Sequence, residues 1–172
     1  MQDSKLVKVP IPIGVRLFVE QCPKTQEDQE DMSHVPYTSA ISILMYAMVC
    51  TRPNIAHAMG VLSRFMSKPG KEHWTTVKRV FGYLHGTSNY GLCYQGRPGL
   101  DKFLDICGFV DADWAGDVQV GMDQRRCTSG YVFNLFGGAV SWMSKKQFVV
   151  ALSTTEAEYM ASTHASKEVV WL

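Results

Sequence analysis

The sequence lacks any run of about eighteen apolar residues, and its opening MQDSKLVKVP has no hydrophobic signal core, so neither a membrane span nor a secretion signal is expected. The expected location is cytoplasmic or nuclear, not secreted. No Cys-x-x-Cys pair occurs: Cys22, Cys50, Cys93, Cys107 and Cys127 are scattered and odd in number, which gives no basis for a zinc site or a disulfide framework and favours a reducing compartment. A strong overall charge is also missing, the net value being +1 over 172 residues. That sum hides an asymmetry. Through residue 100, eleven Lys and Arg stand against seven Asp and Glu; from residue 101 onward, six stand against nine. The first part can approach a polyanion unaided, whereas the second would need cations to do so. At 46% hydrophobic the chain can bury one ordinary core or two small ones.

What is present centres on residues 109–117, FVDADWAGD. Ile106, Phe109 and Val110 give the bulk of a half-buried strand, and alternation puts Asp111 and Asp113 on the face of Phe109, with Val110 and Ala112 on the other. Paired carboxylates at a strand exit need a cation or a ring of donors between them, unless they are simply solvated at a frayed end. A calcium loop fails here, because Ala115 and Met122 occupy positions that need ligands. An aspartyl phosphotransferase reading fails as well, since the series it needs, a lysine together with a further acid pair on later strands, does not follow. A metal site would need a third carboxylate from elsewhere in the chain.

Residues 1–36 read as an extended, non-helical approach, broken by Pro10, Pro12 and Gly14, with EDQED at 27–31 as a solvated loop or short helix face. Pro36 suits a first helical position, after which Ile41, Leu44, Met45 and Met48 recur at helical spacing. Thr51 is expected to cap a second helix with the stripe Ile55, Met59, Leu62, Phe65 and Met66. A third helix carries Trp74, Val77, Phe81 and Leu84 on one face and stops at Gly86. Together residues 37–92 make a small helical bundle. Its stripes are core, while Arg52, Arg64, Lys68, Lys71, Lys78 and Arg79 form either a basic surface for a phosphate backbone or an ordinary solvated face. Gly91 to Tyr94 reads as an edge strand, and 93–100 as a linker. A polar loop with Arg125 and Arg126 follows the acidic strand. Next come a hairpin turning at Gly137-Gly138, an extended run over 148–152, and a closing helix over 153–172.

In that helix Ser153 and Glu156 fit a capping box, which occupies Glu156. The line through Glu158 also holds Ala161, Ala165, Val169 and Leu172, so Glu158 reads as an acid on the buried face. Either it shares a divalent cation with Asp111, or it is satisfied by Tyr131, a backbone N–H or Arg125. Trp171, on another line with Met160, His164 and Lys167, suggests a further layer or partner.

Five stretches, YTSAISILMYAMVCTRPNIAHA, PGKEHWTTVKRVFGYLHGTSNYGL, FVDADWAGD, RRCTSGYVFNLFGGAVSWMSKKQ and ALSTTEAEYMAS, cover most of the chain. Together they resemble the C-terminal part of copia-type retrotransposon Pol polyproteins. The resemblance implies an α+β chain: a reverse transcriptase thumb or connection region over 37–92, then the N-terminal part of a ribonuclease H-like domain over 101–172. It implies hydrolysis of RNA in RNA–DNA hybrids with two Mg2+ ions and four acids. Of these, Asp111 and Glu158 match family positions; Asp113 and Glu156 do not. Arg125, Arg126, Lys71, Lys78 and Arg79 are the candidate nucleic-acid contacts, and the remainder of the Pol polyprotein is an implied partner. The third and fourth acids would follow Leu172, and the polymerase aspartates would precede Met1. Negligible nuclease activity is therefore expected of these 172 residues alone. The competing reading is a non-catalytic nucleic-acid-binding or protein-interaction module.

Overall fold

A computed structural model describes residues 7–95, 106–113 and 126–172. The chain divides into two compact units, Met1–Gly91 and Leu92–Leu172.

The first unit is helical from an earlier point than its prolines suggest. Helix α1, Gln26–Ser33, starts where Thr25 Oγ1 accepts the Asp28 N–H at 3.2 Å, and Glu27 and Asp28 complement the helix dipole in its first turn. The EDQED run is thus helix, and α1 buries only Met32. Helix α2, Tyr37–Thr51, starts one residue after Pro36, which stands in the N-cap position without a side-chain cap instead of at the first helical position, and it buries Tyr37, Ala40, Ile41 and Leu44. Met45, expected in that stripe, is exposed, because it lies 100° round the helix from Leu44. Thr51 caps nothing: it ends α2, and Arg52 makes the corner, its guanidinium donating to Thr87 Oγ1 and the Thr87 carbonyl at 3.2 and 2.7 Å.

The expected second helix is three pieces, a 3-10 turn at Pro53–Ile55, helix α3 at Ala56–Leu62 and another 3-10 turn at Ser63–Phe65. It still buries Ile55, Met59, Leu62 and Phe65 as the spacing requires. Helix α4, Lys71–Gly86, turns its His73, Thr76, Val77, Val80 and Tyr83 line inward, leaving Trp74, Phe81 and Leu84 half-buried at the margin. Among these apolar groups the Tyr37 hydroxyl stays satisfied by donating to the Leu62 carbonyl at 2.9 Å.

In the second unit, strands β1 (Ile106–Asp113), β2 (Thr128–Leu135) and β3 (Gly138–Lys146) form an antiparallel sheet in the order β1-β2-β3. The hairpin turn is one residue earlier than expected. Phe136 and Gly137 hold the positive φ angles, 50° and 83°, as a two-residue turn between right-twisted strands requires. Gly138 serves a different purpose: a Cβ there would lie 2.5 Å from the Tyr94 ring and 2.7 Å from the Cys93 carbonyl oxygen. Residues 91–94 are not a strand, but Cys93, Tyr94 and Gln95 lie against the hairpin, with the Tyr94 hydroxyl donating to the Ala139 carbonyl and the Gln95 N–H to that of Phe136.

The run 148–152 is not a strand either. Phe148, Val149, Val150 and Leu152 are exposed, and only Ala151 turns inward. Helix α5, Thr154–Val169, follows, with Ser153 Oγ accepting the Glu156 N–H. Its inward line is Ala157, Ala161 and Ala165, and the first two of these pack with Ala112, Cys127 and Ala151. Side chains this small let the helix lie close on the sheet. The α+β class agrees with expectation; the described sheet has three strands.

Candidate functional site

Asp111 sits near the exit of β1, an outer strand of the described sheet. The neighbouring Ala112 is buried against α5, so alternation places Asp111, Asp113 and Phe109 on the opposite face, where all three are exposed. The register with β2 runs unbroken from Ile106 to Asp113, which fixes that assignment.

Glu158 is not on the buried face of α5. It is exposed, one position round from Ala157, because the inward line is set by the alanines at 157, 161 and 165 instead of by a line through 158. From that rim its carboxylate reaches the strand edge, where Glu158 Oε1 accepts the Ala112 N–H at 3.4 Å. In an antiparallel ladder alternate N–H groups turn away from the partner strand, and this one points away from β2, at the outer edge of the described sheet. The helix acid thus meets the main chain directly beside Asp111, reaching it round the edge of the strand and not across the sheet. Of the alternatives open in the sequence, a backbone N–H is what Glu158 finds. Glu156 is separately occupied, its Oε2 accepting the Leu152 N–H at 2.7 Å.

The two carboxylates can be tested against a magnesium ion. Mg2+ keeps several waters and takes one or two protein carboxylates together with substrate oxygens. The Ala112 N–H holds one oxygen of Glu158 at the strand edge and leaves the other oxygen unused by that bond, while Asp111 is exposed on the face of β1 away from α5. The two carboxylates do not define two ions: among the described residues no group of three or more His, Cys, Asp or Glu is arranged to hold a metal.

Behind the pair lies a buried network that the sequence did not announce. Gln147, just past β3, is 4% exposed; its Nε2 donates to Ser129 Oγ at 2.8 Å and to the Ala157 carbonyl at 2.9 Å. At the far end of α5, Ser141 Oγ donates to Glu168 Oε1 at 2.7 Å. Burial pushes the nearby Tyr131 hydroxyl above its ordinary pKa; Ser141 opposes that shift and Glu168 adds to it. A glutamine after two lysines reads as solvated, and nothing in its spacing marks it as interior.

The basic candidates separate by environment. Lys71 is paired with Asp31 at 3.0 Å and Asp28 at 3.6 Å, both on α1, and the hydrogen bond to Asp31 leads in raising its pKa. Lys78 is exposed and Arg79 half-buried on α4. Arg126 Nη1 lies 3.5 Å from the Phe148 carbonyl, and Arg125 falls outside the described residues.

Comparison with known proteins places this geometry in context. The chain is 50% identical over all 172 residues to the "Retrovirus-related Pol polyprotein from transposon TNT 1-94" of Nicotiana tabacum, of which it covers 12%. It is 38% identical over 172 residues to the Pol polyprotein from transposon RE1 of Arabidopsis thaliana, covering 11% of that protein. A relative of comparable length is the "Secreted RxLR effector protein 161" of Plasmopara viticola, 55% identical over 141 residues, which are 82% of this chain and 94% of that protein. No family model and no solved structure matches the chain.

Proposed function

Since the chain belongs to the copia-type retrotransposon Pol polyproteins, aligning with them along its whole length, we propose that it carries a connection-like helical region followed by the first part of a ribonuclease H-like nuclease. The parent activity is Mg2+-dependent hydrolysis of the RNA strand of RNA–DNA hybrids during reverse transcription. The observation that carries this reading is the Glu158 carboxylate held on the Ala112 N–H, beside Asp111. Bound there, Mg2+ would supply a Lewis acid for water and for phosphate oxygens. The chain's own share is to hold a carboxylate on each side of a strand edge, one of them oriented by a main-chain donor. Exposed Lys78 and half-buried Arg79 would contact the phosphate backbone, with Arg125, Arg126 and Lys71 as further contacts.

Two carboxylates fix too few ligands for two-ion hydrolysis, so these 172 residues are expected to bind Mn2+ or Mg2+ weakly and to cleave nothing by themselves. The rest of the polyprotein would supply the remaining ligands. A labelled hybrid titrated with Mg2+ tests this directly: no cuts are expected, and Mn2+ binding should disappear in Asp111→Asn and in Glu158→Ala. Metal-dependent cuts by the chain alone would overturn the expected inactivity. Mn2+ binding indifferent to both substitutions would overturn the site.

One observation favours a second reading, a non-catalytic module derived from the element. A relative 55% identical has nearly the extent of this chain and is named as an effector. Salt-sensitive binding of hybrid without metal dependence would support it. The proposed cytoplasmic or nuclear location, which differs from the word "secreted" in that relative's name, is tested by imaging the tagged chain in cells.

A further inference from the structure

The amide of Gln147 uses both its hydrogens on two different elements. One goes to Ser129 Oγ on β2 at 2.8 Å, the other to the Ala157 carbonyl in the first turn of α5 at 2.9 Å. The Gln147 main-chain N–H also donates to the Cys127 carbonyl at 2.7 Å, so the residue is anchored at both ends. Ser129 is the register partner of Ala112. Ala157 immediately precedes Glu158, and Glu158 Oε1 accepts the Ala112 N–H. These contacts close a ring from the Gln147 amide to Ser129, across the ladder to Ala112, over the strand edge to Glu158, and back through Ala157. The amide cannot flip within this ring, since an oxygen facing the Ala157 carbonyl would lose that bond. Its own Oε1 is buried and finds no donor among the described residues. A bare buried acceptor is unfavourable, so its presence marks a contact whose orientation is dictated by the other half of the group.

We propose that Gln147 is the positioning residue of this site: its amide sets the spacing between β2 and the first turn of α5, and so delivers the Glu158 carboxylate to the edge of the strand that bears Asp111. The metal-binding consequence rests on the function proposed above; the positioning itself does not. Amide hydrogen exchange, read by NMR on the full 172-residue chain, separates the two.

In Gln147→Met the Ala112 amide should exchange about tenfold faster, reaching the rate seen in Glu158→Ala, while amides inside the β2 and β3 ladder stay within about twofold of wild type. An unchanged Ala112 rate, or a uniform rise across α5 and the sheet, would reduce Gln147 to a packing residue and overturn the proposal. Should Gln147→Met not fold, Ser129→Ala removes one arm of the ring alone. It should speed Ala112 exchange several-fold, and no change there would overturn the proposal equally. Mn2+ titration of wild type and Gln147→Met forms the second arm. Wild type that binds no Mn2+ would defeat the metal reading while the Ala112 rates still decide the role of Gln147.

Discussion

Gly70 and His73 show how much one position can carry. A Cβ on Gly70 would fall 1.9 Å from the Gln21 carbonyl oxygen, a main-chain atom that cannot swing aside. The Gly70 N–H also donates to His73 Nδ1 at 2.8 Å, and the imidazole stacks on Phe65 with ring centroids 3.9 Å apart. Gly70→Ala should therefore lower stability by about 2 kcal/mol or more, read as a fall in urea midpoint at constant slope. Burial holds the His73 imidazole below its ordinary pKa of 6.5, against opposing pulls from the Phe18 main chain and Glu72. Below that ordinary value the unfolded chain takes up a proton that the folded one resists. The contribution is thus fully present above about pH 6.5 and is lost as pH falls toward the folded value. Urea midpoints at about pH 7.5 and about pH 5.5 should show this loss, and His73→Gln, which keeps an acceptor for the Gly70 N–H, should flatten it. A steeper loss in the variant would assign the effect to another group.

Among the elements, α5 carries the clearest local signals in its sequence, and its facing is the part those signals do not encode. Ser153 and Glu156 mark its start, and the structure has the Ser153 half of that cap, while Glu156 reaches one residue further back, accepting the N–H of Leu152 instead of that of Ser153. Spacing alone draws the inward line through Glu158, whereas in the fold it runs through Ala157, Ala161 and Ala165. A stripe of alanines has no bulk to centre it, so a 100° error in facing is invisible to periodicity. Only contact with Ala112 and Cys127 fixes the rotation. Because Ala161 is 1% exposed in that contact, Ala161→Leu should cost about 1–3 kcal/mol by overpacking, a loss that thermal melting would register. A neutral result would mean that the helix can lift from the sheet freely. The hairpin gives the same lesson at its turn, where one glycine supplies a left-handed φ and the next makes room for Tyr94, two causes that look alike in a Gly-Gly pair.

For the whole molecule, the excess of cations before residue 100 bears on how it meets a polyanion. The charges there are unequal in availability, since Lys71 is engaged by Asp28 and Asp31 while Lys78 is exposed. If the chain binds hybrid, Lys78→Ala should reduce the slope of log affinity against log salt by about one, and Lys71→Ala should change it less. Equal effects would place both on the same contact surface. The sequence by itself determined the family, the α+β class and the core stripe Ile55, Met59, Leu62 and Phe65, because helical period, strand alternation and local motifs are properties of neighbouring residues. Tertiary structure alone decided that Glu158 rides the rim of its helix, that it meets Ala112 over a strand edge, and that Gln147 sits in the interior between them. Those facts depend on which groups from distant parts of the chain compete for the same hydrogen bonds and the same space, and no local pattern encodes the winner.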